Sequence, residues 1–355
     1  MMIKNLMIEN FKCVSNMNIE CNNINVFVGT NSSGKSTILQ ALLFFAQNIK
    51  EEKGLNGDYI SIGGFEENRC YYSRKNSINV GIIDYYNNKN IIELYKENDV
   101  EHIKYVSDDF EEFRTIQNFF IENKKQVQYL SCHRVGPQDL YKKNMSLFDD
   151  IGTNGQFSIA YLNKHSSDAM NEDFCKYKGN YTFGSQVNWW LNYIVGAKIS
   201  TSSIPSTDYV KASYSMNDIN EIRPQNIGSG VSYLVSVVIT CLSAPEDSII
   251  VIENPEIHLH PAAQSKVAEF LYFVSKHKRQ IFIETHSDHI FNGYRAGIAN
   301  SEMDQNDINI YYVSQDEEHN TNAMLVQIGR MGRIENQVEG LFDQFDIDLN
   351  KMIGV

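Results

Sequence analysis

The eight residues Gly29-Thr30-Asn31-Ser32-Ser33-Gly34-Lys35-Ser36 limit what this chain can fold into more than any other stretch, because they satisfy G-x-x-x-x-G-K-[ST]. Their surroundings matter as much as the pattern. The apolar run Ile24–Val28 before them reads as a strand, and Thr37–Phe45 after them reads as a helix. Strand, glycine turn and helix make a phosphate loop: the glycines let backbone N–H groups face phosphate oxygens, and the helix's amino end adds a favourable dipole. Gly29, Asn31, Ser32, Ser33, Gly34 and Thr37 are therefore expected to cradle a nucleotide. Lys35 is expected to reach its β- and γ-phosphates, and the Ser36 hydroxyl to ligate magnesium.

A second element gains meaning from the first. Ile249-Ile250-Val251-Ile252 is a run of β-formers ending in Glu253, followed by Asn254-Pro255-Glu256. An apolar strand ending in an acid is common by itself, but beside a phosphate loop it is where a Walker B carboxylate helps hold magnesium. Glu253 takes that place. His286, after the apolar run Gln280–Glu284, is expected at the carboxyl end of another strand, where α/β sheets place ligand contacts. It reads either as a γ-phosphate sensor or as an ordinary hydrogen-bonding residue.

The rest of the chain supplies an α/β frame. Gly81–Tyr86, Ile91–Tyr95 and Ile103–Val106 are β-rich runs broken by turn residues, which predicts an antiparallel side sheet. Phe110–Ile121 reads as a helix and Val127–Leu130 as a strand. Helices are expected at Val231–Leu242, Ala262–Ser275 and His289–Ala296, with strands at Ile249–Ile252, Gln280–Glu284 and Ile308–Val313. Residues 143–225 are Ser/Asn-rich apart from Trp189, Trp190 and Tyr193, and read as an insertion. The expected layout is an amino-terminal ATPase part over 1–142, this insertion over 143–225, and a carboxyl-terminal ATPase part over 226–355.

Composition excludes several classes. The 355 residues are 42% hydrophobic, ample for a buried core, and no apolar run reaches the roughly 20 residues of a membrane-spanning helix. The first forty residues show no signal-like segment, so a cytoplasmic location is expected. The six cysteines show no C-x-x-C pair and read as plain thiols. A net charge of -13 argues against a chain-wide surface for nucleic acid, although a local patch remains open. His258, His260, His286, Asp288 and His289 lack the helical i, i+4 spacing of a zincin, and neither a hydrolase elbow nor a Rossmann fingerprint is present.

The order of these motifs resembles the ABC-type ATPases of the SMC, RecF and OLD group, and most closely the stand-alone bacterial AAA/ABC-like ATPases with a conserved uncharacterised carboxyl-terminal domain. Ile3 to Lys12 resembles that group's opening I-x-x-x-x-I-x-N-F-K, and Asn31 to Ser36 its N-S-S-G-K-S loop. Gly228-Ser229-Gly230-Val231-Ser232 is similar to its degenerate signature element, and Glu253 to Pro261 to its Walker B and D-loop. Gly332-Arg333-Ile334 and Gly340-Leu341-Phe342-Asp343 are similar to the stand-alone family's tail.

The resemblance implies an α/β P-loop NTPase with an ABC-type head: a mixed central sheet, an antiparallel β subdomain and a short, partly helical insertion. It implies ATP and magnesium as cofactors, and a homodimer in which Gly228, Ser229 and Gly230 of one protomer cap the nucleotide on the other. His286 becomes its switch histidine. Two departures stand out. The usual catalytic glutamate is replaced by Asn254, which does not accept a proton as a carboxylate does, so either Glu256 substitutes or turnover is slow. Ser61–Phe65 contains no Q-loop glutamine. The insertion lacks heptads, which argues against a long coiled coil, and too little chain follows His286 for a nuclease domain of the OLD kind. The expected function is an ATP-dependent dimerising switch for a separately encoded effector, a nuclease, in bacterial anti-phage defence. The alternative is a RecF-like DNA-binding ATPase in repair or recombination.

Overall fold

A computed structural model describes residues 2–73, 75–107, 110–122, 126–342, 349 and 351–352. Asp343, expected to belong to the tail motif, lies outside the described residues. In chain order the first elements are β1 (Ile3–Phe11), β2 (Val14–Glu20), β3 (Ile24–Gly29), α1 (Lys35–Asn48), α2 (Phe65–Asn68), β4 (Ser77–Asp84), β5 (Lys89–Glu97), β6 (Val100–Ser107) and α3 (Phe110–Glu122). There follow β7 (Val127–Leu130), β8 (Tyr141–Lys142), α4 (Ser158–His165), α5 (Phe183–Val195), β9 (Ala197–Ser203), β10 (Tyr209–Met216), β11 (Ile219–Ile222) and α6 (Ser229–Ser243). The last are β12 (Ile249–Glu253), α7 (Pro261–Ser275), β13 (Gln280–Glu284), α8 (Asp288–Ala299), β14 (Ile308–Gln315) and β15 (Thr321–Val326).

The chain divides into two compact units, one of residues 3–113 and 284–355, the other of residues 1–2 and 114–283. In the first, β2-β1-β4-β5-β6 form an antiparallel sheet among the described residues, the side sheet expected from the alternating runs and extended by β1 and β2. Ile78, Val80 and Ile82 on β4, with Ile92 and Leu94 on β5, are wholly buried on one face, the alternation of a half-covered antiparallel sheet. Helix α1 packs on β1, β4 and β5. From Ile38 to Ala46 every residue except Gln40 is buried, so the phosphate loop leads into a core helix. In the same unit β14 pairs parallel with β3 and antiparallel with β15, giving a mixed sheet.

In the second unit β12 lies parallel to β7, with Ile249 to Ile252 opposite Val127 to Leu130. All four β12 residues before Glu253 are essentially inaccessible, as a strand covered on both faces requires. The stretch 143–225 holds α4, α5 and the strands β9, β10 and β11, with β10 pairing antiparallel to β8, β9 and β11. The aromatic cluster turns inward. Trp190 on α5 packs against Phe270 and Phe273 of α7, with ring centres 4.8 and 5.1 Å apart, and Lys266 donates to the Tyr193 carbonyl at 2.7 Å. The helical part is thus joined to the ATPase frame by its largest side chains. Among the described residues no helix is long and apolar enough to cross a membrane.

Candidate functional site

The phosphate loop is shaped by backbone that only certain residues tolerate. Gly29 has φ +148° and Gly34 φ +107°; a Cβ on Gly29 would lie 2.1 Å from the Val313 carbonyl oxygen, and one on Gly34 would lie 2.4 Å from Thr321 Oγ1. Ser32 also sits at positive φ, +61°, an unusual place for a residue with a side chain. Strands β14 and β15 therefore press on the loop directly. Thr321, buried, donates from Oγ1 to the Ser33 carbonyl at 2.9 Å and from its N–H to the Cys13 carbonyl at 2.8 Å.

Helix α1 begins at Lys35, two residues earlier than the apolar pattern indicated, because the loop's last glycine is itself the N-cap. Lys35 and Ser36 accordingly occupy its first turn. Lys35 is 3% exposed, and its ammonium donates to the carbonyls of Thr30 at 2.6 Å and Gly29 at 3.1 Å. Burial lowers its pKa, and the Glu284 carboxylate acts in the opposite direction. The Ser36 hydroxyl donates to Glu284 Oε1 at 2.9 Å. Cys13, Asn31, Ser32, Gly34 to Thr37, Glu284 and His286 line one cavity of about 320 Å³.

Of the expected site residues, this cavity collects Asn31, Ser32, Gly34, Lys35, Ser36, Thr37 and His286, while Gly29 and Ser33 shape the loop from behind. It adds two that sequence reasoning missed, Cys13 and Glu284. A signal for Glu284 was present: a lone acid closing the apolar run Ile281-Phe282-Ile283 directly before Thr285-His286. His286 stands at the cavity's exposed edge. Partial desolvation and then the Lys35 charge lower its pKa below the ordinary 6.5, with a hydrogen bond to the Gly29 backbone opposing them, so the ring is neutral at pH 7.

Glu253, Asn254, Glu256, Gly228, Ser229 and Gly230 belong to the other unit. The Glu253 carboxylate is buried and closely held: Oε1 accepts from the Tyr129 hydroxyl at 2.9 Å, and Oε2 from the Cys132 N–H at 2.9 Å and from Ser131 Oγ at 3.5 Å. Burial and then the Glu253 charge push the Tyr129 phenol up, which keeps it a donor. After Glu253 the chain turns sharply, with Asn254 at φ +44° and His258 at φ +60°. Arg134 holds this turn through the carbonyls of Glu253, at 2.7 Å, and Asn254. Burial lowers the Arg134 pKa to about 10 against the charge of Glu256, which is itself buried. Tyr129, Cys132 and Arg134 were not foreseen, since they come from a strand end with no recognisable motif.

Helix α6 starts at the signature-like element. Gly228 is its N-cap with no capping side chain, and Gly228 and Ser229 are exposed. Gly230 is buried, and a Cβ there would meet the His258 carbonyl oxygen at 2.4 Å, so the D-loop turn rests against the helix's amino end.

Comparison with known proteins fits this geometry. No curated protein matches the chain. An SMC head bound to the C-winged helix domain of ScpA is 15% identical, with a TM-score of 0.60 over 92% of this chain and 98% of that one. An SMC head with an extended coiled coil, bound to the C-terminal domain of ScpA derived from Pyrococcus furiosus, is 14% identical, with a TM-score of 0.59 over 99% of each chain. At such identity the likeness shows a shared fold. A model of a protein of unknown function, DUF3696, matches residues 303–352. The model of the AAA ATPase domain matches residues 1–180 and 163–291, more than half of the chain. The chain belongs to that AAA ATPase domain family, and is an ATPase with the fold of an SMC head.

Proposed function

We propose that this chain is an ATP-dependent dimerising switch: two copies close head to tail over ATP and magnesium, and the closed pair controls a separately encoded effector, a nuclease, in bacterial anti-phage defence. The observation that carries the nucleotide part is the single cavity in which Lys35, Ser36 and His286 meet around the phosphate loop. The exposed Gly228 and Ser229, at the uncapped amino end of a fifteen-residue helix, support the closing surface, since such an end favours a partner's phosphate. SMC heads of the same fold are solved with a second protein, ScpA, which supports control through a partner.

Lys35 would balance the charge of the β- and γ-phosphates, and the loop's N–H groups would hold their oxygens. His286, as a neutral ring, would sense the γ-phosphate by hydrogen bonding. The cavity's donors fit magnesium, which prefers oxygen ligands: the Ser36 hydroxyl is already held by the Glu284 carboxylate. Bound magnesium would neutralise charge on the transferring phosphoryl group. Glu256 would take the proton of the attacking water, because Asn254 beside Glu253 presents an amide and not a base.

Light scattering during gel filtration tests the switch. ATP with magnesium should double the mass of Glu256→Gln, leave Lys35→Ala unbound and monomeric, and leave Ser229→Arg bound but monomeric. Nucleotide binding by Glu256→Gln with no change of mass would remove the sandwich. Co-purification from the native host tests the effector, and recovery of this chain alone in every nucleotide state would remove it. Salt-sensitive retention of duplex DNA that ATP strengthens would replace the effector reading with a clamp on DNA.

A further inference from the structure

The geometry points to Glu284 as the positioning residue that holds the Ser36 hydroxyl for magnesium, a role that the sequence motifs assign to no residue of this strand. The inference rests on the proposed nucleotide site and deepens it.

A hydroxyl that gives a lone pair to a cation is the better ligand when its proton has a strong acceptor, because the acceptor fixes the rotor and adds negative charge to the oxygen. Ser36 has such an acceptor in Glu284 Oε1 at 2.9 Å. Glu284 is well placed to be rigid. It is 6% exposed, and it ends β13 after Ile281, Phe282 and Ile283, all wholly buried. The next N–H, that of Thr285, donates to the Phe27 carbonyl at 3.1 Å, on the strand that leads into the phosphate loop. Backbone and carboxylate are thus fixed to the same loop from two directions.

The other acidic candidate is otherwise engaged. Glu253 spends one oxygen on Tyr129 and the other on the Cys132 N–H and Ser131. Glu284 is the carboxylate that meets the Ser36 hydroxyl. Electrostatics supports the same reading. A carboxylate lining a phosphate cavity repels phosphate unless cations stand beside it, and at this cavity the cation of the chain itself is Lys35, whose charged form Glu284 favours. The Glu284 charge is therefore useful to the site when a second cation arrives with the nucleotide.

The test is the metal response of nucleotide binding, read with fluorescent mant-ATP in EDTA and in a magnesium titration, and with Mn²⁺ paramagnetic resonance of the bound nucleotide. Glu284→Gln keeps the shape and removes the charge. It should leave affinity in EDTA no weaker than that of the native chain, because a repelling charge is lost, while the metal affinity of the complex falls about 10- to 100-fold, the usual cost of a lost outer-sphere partner. Ser36→Ala should show the same loss, and the double variant should be no worse than Ser36→Ala alone, because the two act through one hydroxyl. Additive losses, or an unchanged magnesium response in Glu284→Gln, would overturn the inference while leaving the ATP site standing. Equal loss of affinity with and without metal would also overturn it, by marking Glu284 as a structural prop. If the native chain binds no mant-ATP under either condition, the proposed function falls and the inference falls with it.

Discussion

Arg134 and Asn254 are joined through the backbone: the guanidinium donates to the Asn254 carbonyl with one nitrogen and to the Glu253 carbonyl, at 2.7 Å, with another. Both acceptors lie in the turn that presents Glu256, and Arg134 is 4% exposed. Removing the planar fork leaves buried carbonyls without their donor, which costs about 1–3 kcal/mol each. Arg134→Met should lower stability to denaturant by that order. Arg134→Lys should recover little, because a single ammonium does not span both carbonyls as the fork does. Urea unfolding curves of the three proteins check this, and a native midpoint in Arg134→Lys would contradict it.

The same turn sets what a restored carboxylate can do. Asn254 sits at φ +44°, where asparagine is tolerated and a longer side chain pays about 1 kcal/mol. Asn254→Glu should therefore lose stability and gain no turnover, whereas Glu256→Gln should lower phosphate release about 100-fold or more with ATP binding kept. Single-turnover phosphate release beside an unfolding curve separates the two. Faster hydrolysis in Asn254→Glu would mean that Glu256 is not the base.

Gly230 is buried under the D-loop turn, and a methyl group there would overlap the His258 carbonyl oxygen. Gly230→Ala should destabilise the chain by about 1–3 kcal/mol through the displaced backbone. Gly228→Ala meets nothing within 4 Å and should be near neutral. Thermal unfolding of the pair checks the contrast, which a general intolerance of glycine replacement would not produce.

His286 supplies a pH test. Its pKa is lowered in the folded chain, so folding favours the neutral ring. That contribution to stability is complete above the unfolded value of about 6.5 and is lost as pH falls through the lower folded value. NMR should find the His286 midpoint below 6.5, and His286→Gln should remove part of the loss of stability on the acid side. A midpoint at or above 6.5 would contradict the account of partial desolvation beside the Lys35 charge.

How much was legible beforehand varies with the kind of interaction. The phosphate loop, β3, α1 and the run ending in Glu253 were readable because short-range pattern and local structure coincide there. The side sheet was readable by its alternation; β1 and β2 were not joined to it, since pairing partners carry no local mark. Within 143–225, the short strands β9 to β11 are rich in Ser, Thr and Lys, and small inward residues such as Ala197 and Ala212 weaken the period-two contrast that a half-buried strand otherwise gives. In the site, Lys35, Ser36 and His286 were nameable from motif. Glu284 was not, because an acid beside phosphates runs against simple charge matching. Arg134 and Thr321 were hidden for a different reason. What they hold is main-chain carbonyl, and any sequence supplies that.

Thr321 has a bearing on how the protein comes into being. The Ser33 carbonyl waits for a hydroxyl 288 positions further along the chain, and β3 waits for β14. A ribosome moving from the amino end makes the phosphate loop before its two supports. Until residue 321 has emerged, the nascent polypeptide has the loop without its brace. The shape of the loop is thereby completed by a residue made 288 positions after it.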